Sequence, residues 1–301
     1  MSRTVGRFAP SPSGRMHLGN LWSCLLAWLA ARSEGGGMVL RLEDLDPDRC
    51  RQEYCDQVMR DLEWLGLDWD NEPVYQSRRT QAYAQAFNEL ERQGLIYPCF
   101  CTRAERLAAS APHRSDGTAV YDGRCGRLRL EEQEELSKTR RPAWRARVPG
   151  EIITFRDLLQ GNYEEELKRD CGDFILRRSD GVYAYQLAVV VDDAAMGVTQ
   201  VVRGSDLLSS SPRQLWLQDR LSLPHPEYGH LPLLLASDGR RLAKRDRDLE
   251  LGRLQEEFTA PEIVGRLAFA AGLIDRRSAI SPRELVPLFS WEKLPKEDMV
   301  L

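Results

Sequence analysis

Long apolar runs are missing from this 301-residue sequence. The most apolar early stretch, Leu21 to Ala31, falls short of the ~20 residues that a membrane-spanning helix needs, and it reads as a buried helix. The opening Met1-Ser-Arg-Thr-Val-Gly6 lacks the charged-then-apolar order of a secretory signal, so a cytoplasmic location with no membrane partner is expected. A strong charge of one sign is missing too. With 42 Lys and Arg against 46 Asp and Glu, the net charge is −4, which excludes a basic nucleic-acid coat. Any RNA contact must come from a local patch. An even cysteine count is also absent: Cys24, Cys50, Cys55, Cys99, Cys101, Cys125 and Cys171 suggest free thiols and a metal site, not a disulfide framework. There is no internal repeat and no long low-complexity tract.

What is there reads as a soluble enzyme, with 42% hydrophobic and 29% charged residues. Residues 3–8 read as a first strand, stopped by Pro10 and Pro12, which lack backbone donors. An apolar helix from about Leu18 to Arg32 follows, broken by Gly35-Gly-Gly37. Met38 to Asp44 reads as a second strand. Helical patterns at about 51–65 and 78–93, then Leu95 to Pro98, continue an alternation that argues for a parallel sheet in an α/β fold. A Cys-, Arg- and Gly-rich segment interrupts it, giving four expected regions: 1–97, an insertion at 98–150, a second α/β part at 151–247, and a helical extension at 248–301. In the second part, Tyr185 to Val191 reads as a buried strand, Val198 to Val202 as another, and Leu231 to Ala236 as a third. The extension shows apolar spacing at Ile263, Leu267 and Ala270, and it is more acidic than basic.

Three features crowd the first 46 residues. Arg7-Phe8-Ala9-Pro10-Ser11-Pro12-Ser13-Gly14 leaves the first strand, His17-Leu18-Gly19-Asn20 opens the helix, and Arg41-Leu42-Glu43-Asp44-Leu45-Asp46 closes the second strand. Small residues in a strand-to-helix turn let backbone amides approach phosphates, and a helix N-terminus favours negative charge. His17 can donate to a phosphoryl oxygen as charge develops there. Later, Arg241-Leu242-Ala243-Lys244-Arg245 follows a Ser-Asp-Gly239 turn, and Lys244 is a compact charge on a long stem, suited to a triphosphate. Alone, that run reads as a solvated basic turn, and only the motifs at the start of the chain favour the catalytic reading. Arg203, at the end of its strand, occupies a position where a functional side chain is plausible. Cys99-Phe-Cys101, with Cys125 after a long gap on a Gly-rich turn, fits a small structural zinc site, for which generic zinc chemistry would nominate His113 as fourth ligand. Arg124, Arg127, Arg129, Arg140, Arg141, Arg145 and Arg147 crowd the insertion and its exit as a candidate patch for RNA phosphates.

Together these motifs resemble the glutamyl-tRNA synthetase group, and within it the glutamyl-queuosine tRNA(Asp) synthetase family, over about residues 3–247. The resemblance implies a class I aminoacyl-tRNA synthetase fold: a Rossmann-like parallel sheet, an inserted zinc-binding subdomain and a short helical C-terminal tail. It implies catalytic roles for His17, Asn20 and Lys244, with Arg7, Phe8, Ala9, Pro10, Ser11 and Gly19 joining them around ATP. Arg7 and Arg203 would face the substrate carboxylates, Glu43 and Ser11 the amine, and Tyr185 the bound amino acid. The zinc set becomes Cys99, Cys101, Tyr121 and Cys125, with His113 in reserve. Two departures stand out: Asn20 where the group often has His, and Ala243 where it usually has Ser. The expected substrates are L-glutamate, ATP with Mg2+, and queuosine-containing tRNA(Asp), with one structural Zn2+ and a monomeric chain. Only about 55 residues follow the Lys244 loop, too few for a separate anticodon-reading domain. The alternatives are a truncated glutamyl-tRNA synthetase charging a tRNA 3′ end, and a catalytically dead paralogue that binds tRNA or glutamate.

Overall fold

The structure is a computed structural model, described for residues 3–102, 120–236 and 250–300. Strand β1 (Val5–Phe8) runs parallel to β2 (Gly37–Leu42), with Val5 beside Gly37 and Phe8 beside Leu40, and β2 runs parallel to β3 (Val74–Tyr75). On the other side of β1 lies β9 (Gln200–Gly204): the Thr199 amide donates to Val5 O at 3.0 Å, and the Val5 amide to Thr199 Oγ1 at 2.9 Å. Strand β10 (Glu227–Leu231) pairs in parallel with β9. Strand ends carrying Arg7, Glu43 and Arg203 are thereby brought to one edge of the fold.

Helix α1 (Leu18–Ser33) packs on this sheet, with Leu21, Leu25, Leu26 and Leu29 buried. Gly35 ends it at φ +66°, a left-handed turn that only glycine enters without strain. Helices α2 (Gln52–Trp64) and α3 (Thr80–Arg92) follow, each with one apolar face. Strand β4 (Ile96–Cys99) opens a separate antiparallel sheet with β5 (Ala143–Ala146) and β8 (Ile175–Arg177). Between β4 and β5, helix α4 (Leu130–Thr139) has no buried residue, the solvated face that its run of glutamates and glutamine implies.

Three expectations are corrected. Tyr185 to Val191 is not a strand but most of helix α5 (Tyr185–Ala195). A short continuous apolar run has no readable period, and this one is buried on nearly all sides in a core shared with α3 and α6 (Ser211–Leu221). The segment after Ile152 begins not with a βα unit but with an antiparallel hairpin, β6 (Ile152–Asp157) and β7 (Gly161–Glu166). Leu231 to Ala236 is not one strand. Pro232 removes a donor and ends β10, and a second short strand, β11 (Leu234–Leu235), starts beyond it.

The final region forms helices α7 (Leu251–Glu257), α8 (Ala260–Ala270) and α9 (Pro282–Leu285) and a last strand, β12 (Met299–Val300), parallel to β11. Ile263, Val264 and Leu267 are buried in the same core as α1, so this region packs onto the parallel-sheet body. Trp291 lies so close to Gly229 of β10 that a Cβ there would meet the indole at 2.5 Å. Among the described residues, no helix is long and apolar enough to cross a membrane.

Candidate active site

A cleft of about 620 Å³ opens where β1, β2 and β9 end and α1 begins. Arg7, Phe8, Ala9, Pro10 and Ser11 form one wall, and His17, Gly19 and Asn20 the floor. Glu43, Tyr185 and Arg203 complete the opposite side. Every site residue expected from the sequence, the cysteine cluster and Lys244 apart, therefore faces one cavity. Lys244 and Ala243 lie outside the described residues. Both flanks of that segment stand at the cleft: Leu234 lines it, and Glu250 bridges to His17, with the Leu251 amide donating to Met16 O at 2.9 Å.

His17 is the N-cap of α1, and its backbone amide donates to Asn20 Oδ1 at 3.0 Å. Asn20 thus caps the helix with its oxygen, which leaves its amide nitrogen as the donor. The Asn20 amide turns back to His17 O at 2.8 Å, so the opening amides of Leu18 and Gly19, with the helix dipole, are the part of the first turn that favours an anion.

The charged groups around the cleft have partners that sequence reading missed. Arg7 is buried, and its Nε lies 3.3 Å from Asp193 Oδ1. Arg41, fully buried, donates to the same Asp193 oxygen at 2.6 Å and to Glu43 Oε1 at 3.1 Å. The neighbouring Asp192 accepts from Gln76, Tyr83 and Arg79. These two aspartates end α5, the segment misread as a strand. A helical reading would have put the pair at its buried end. Glu43 is pushed above the usual carboxylate range by burial, against the lowering effects of Arg41 and Arg7.

Arg203 is held differently. Its Nε donates to His230 Nε2 at 3.0 Å and its Nη2 to Ser211 Oγ at 2.9 Å, while Nη1 lies 3.4 Å from the Tyr185 hydroxyl. Cys24 also lines the cleft. Burial pushes its thiol up to about 12, with the Arg7 charge opposing, so it is an inert wall residue and no nucleophile.

About the cysteines, the sulfurs of Cys99, Cys101 and Cys125 all lie within 4.8 Å of one another. The Tyr121 hydroxyl is 3.6 Å from Cys99 Sγ and 3.5 Å from Cys101 Sγ. Three thiols so close together could hold a metal ion, with the Tyr121 phenol oxygen beside them. A hydrogen bond from Cys125 holds the Cys99 thiol well below the usual cysteine range, and Arg145 adds to this against burial. His113 lies outside the described residues. Among the described residues, Tyr97, Cys99 and Cys125 are the buried members of the cluster here. Gly172, at φ +68°, touches Tyr121, and Asp173 accepts from the Tyr97 hydroxyl and the Val148 amide. That clamp had no sequence signal. Arg145 must leave the candidate RNA patch: it is buried, lies 3.8 Å from the centre of the Tyr121 ring and donates to Cys99 Sγ. Arg124 and Arg129 pair with Asp122 and Glu132.

The family model for the catalytic domain of class I tRNA synthetases (E and Q) matches residues 3–278. The chain belongs to this family. A protein of Nitratidesulfovibrio vulgaris named glutamyl-Q tRNA(Asp) synthetase is 51% identical, over 98% of this chain and 94% of the relative. One of the same name from Symbiobacterium thermophilum is 48% identical, over 97% and 94%. The solved structure of a glutamate tRNA ligase from Elizabethkingia meningosepticum, in complex with its amino acid, superposes with a TM-score of 0.83 at 26% identity. That likeness covers 99% of this chain and 67% of that one. The class I fold and its parallel sheet thus agree with the sequence reading, and the resemblance proposed there is to the right family.

Proposed function

We propose that this protein is a glutamyl-Q tRNA(Asp) synthetase, a ligase that joins glutamate to the queuosine of tRNA(Asp). The observation that carries the reading is the meeting of Arg7, Glu43, Tyr185 and Arg203 around one cleft at the N-terminus of α1. End-to-end similarity to two relatives of that name chooses this member over the synthetases that charge a 3′ end.

In this reading, ATP lies along the Arg7–Ser11 turn with its phosphates over His17, Gly19 and Asn20, and Lys244 follows the departing pyrophosphate. Mg2+ arrives with the nucleotide. Glutamate sits between Glu43 and Ser11, which take its amine, and Arg203 and Tyr185, which take its side chain. Its α-carboxylate, steered by Arg7, attacks the α-phosphorus, and the bond to the β-phosphate breaks. A hydroxyl of the queuosine cyclopentenediol then attacks the acyl carbon, and AMP leaves. The carboxylate is its own nucleophile, so the residues supply alignment and charge stabilisation, with no general base required in the first step. Cys99, Cys101, Tyr121 and Cys125 would hold one structural Zn2+, which organises the knob and stands outside the chemistry. The 98–150 insertion then forms a zinc-binding subdomain and residues 248–301 a helical extension, in a monomeric cytoplasmic enzyme.

Labelled glutamate tests this directly. Transfer to tRNA(Asp) should require queuosine in the tRNA and should leave the terminal ribose open to periodate. Label on queuosine-free tRNA, or protection of the 3′ end, would select the truncated glutamyl-tRNA synthetase instead. A chain without glutamate-dependent pyrophosphate exchange would be the inactive paralogue.

A further inference from the structure

Arg203 is the last of three side chains in line, from three different strands: Asp157 on β6, His230 on β10 and Arg203 on β9. Asp157 and His230 are almost wholly inaccessible. His230 Nδ1 lies 2.6 Å from Asp157 Oδ2. The other oxygen, Oδ1, takes the backbone amides of Leu159 and Gln160 at 2.9 Å each and that of His230 at 3.2 Å. A carboxylate so well supplied with donors stays ionised and can only accept, so Nδ1 carries the proton. On the far side of the ring, Arg203 Nε donates to Nε2 at 3.0 Å. A guanidinium has no acceptor, so Nε2 must offer its lone pair. Ser211 Oγ, 3.2 Å from Nε2, accepts from Arg203 Nη2 and can give its own proton to the same lone pair, so the three partners agree on one neutral tautomer. Burial supports it, pushing the imidazole down to about 4 although the Asp157 hydrogen bond acts the other way. The ring is also gripped from the sides, stacked on Tyr228 at 6.0 Å and edge-on to Phe155 at 6.5 Å.

We propose that Asp157 and His230 are positioning residues for glutamate selection: Asp157 fixes the tautomer of His230, and His230 turns the Arg203 guanidinium so that its Nη1 edge faces Tyr185 and the cleft. The inference rests on the reading of Arg203 as a carboxylate contact. Its chemical content lies in the choice of a neutral acceptor. A carboxylate at position 230 would hold the guanidinium equally well and cancel its charge. An imidazole with an acid behind it orients the cation and leaves the charge for the substrate.

Asp157→Asn is the sharpest variant. An asparagine can turn its amide N–H towards Nδ1. The ring proton then moves to Nε2, where it faces the Arg203 N–H, donor against donor. The same exchange at the aspartate of a serine-protease triad leaves the geometry intact and the tautomer wrong. In glutamate-dependent pyrophosphate exchange, D157N should raise the glutamate KM about tenfold or more, with the ATP KM within about twofold of the parent. His230→Leu should do the same. His230→Gln keeps an acceptor oxygen and should restore the glutamate KM to within about threefold. An equal rise in both KM values, or an unchanged glutamate KM in D157N, overturns the proposal. Nitrogen-15 NMR of the histidine-labelled full-length protein reads the tautomer without any activity, the His230 signal being assigned by its loss in H230Q. The expected parent state at pH 7 is neutral and Nδ1-protonated. An Nε2-protonated ring or an imidazolium there overturns it. A parent enzyme with no glutamate-dependent exchange would defeat the assigned function, and the NMR result would still decide the tautomer.

Discussion

The two arginines on the wall of the cleft are built into it in opposite ways. Arg7 leans on Asp193, an anion it shares with Arg41, so its charge is partly spent inside the protein. Arg203 is held by an imidazole, a serine hydroxyl and the Leu207 carbonyl, with the Tyr185 hydroxyl beyond, all neutral. A cation that must steer a reacting carboxylate also meets a polyphosphate, and an uncompensated charge there would bind ground state and transition state alike. A cation that must tell glutamate from glutamine needs its whole charge. On the proposed reading, the same residue type would serve two tasks through the groups placed behind it.

Five outcomes would break or sharpen this contrast. Arg203→Ala should have the largest effect, raising the glutamate KM roughly 100-fold, or about 3 kcal/mol for a charged hydrogen-bonded contact, with little change in the ATP KM. Arg7→Ala should instead lower kcat more than it raises the glutamate KM, as expected of an interaction made mainly in the transition state. Steady-state exchange kinetics separate the two patterns. Next, Asp193→Ala should cost roughly 3 kcal/mol of folding stability in denaturant melts, because it removes the nearest anion of the buried Arg41, leaving it Glu43 and the more distant Asp192.

The fourth outcome concerns pH. His230 has an ordinary value of 6.5 and is held down to about 4 in the folded chain. As pH falls from about 6.5 towards 4, the unfolded chain takes up a proton that the folded chain refuses, so stability drops by up to ~3 kcal/mol across that window. Asp157 is depressed: burial would raise it, but the His230 hydrogen bond and the amides of Gln160 and Leu159 outweigh that. Its stabilisation is present above its ordinary value of 3.8 and is lost only at lower pH. Melts of H230Q should be flatter than the parent between pH 6.5 and 4, and an equally steep parent and variant would contradict the neutral-imidazole account. Smallest of all, Cys24→Ala should leave exchange within about twofold, since its thiol lies on the wall and stays protonated.

The residues that contact the cleft were legible because local chemistry marks them: prolines after a strand, a His-Leu-Gly-Asn helix opening, an acidic strand end. The groups behind them were not. Asp157 and Asp193 are 36 residues apart and serve different arginines, and nothing in their local sequence distinguishes them from surface acids. His230 sits in a short apolar strand, where a single histidine reads as filler. Only the parallel pairing of β9 with β10, which sets His230 beside Arg203, gives it a role. The helix at Tyr185 was missed because its buried position removes the polar face on which periodicity depends. The cysteine group lay between these extremes. Spacing suggested three thiols, but the contribution of Gly172 and Asp173 appears only when β8 pairs with β5.

The contrast between the two arginines meets its most direct test in a crystal structure of the full-length protein with a non-hydrolysable glutamyl-adenylate analogue. The account predicts the side-chain carboxylate on Arg203 Nη1 and the Tyr185 hydroxyl, the amine at Glu43, and Arg7 at the acyl-phosphate end. A side-chain carboxylate on Arg7, with Arg203 turned away from the ligand, would contradict it.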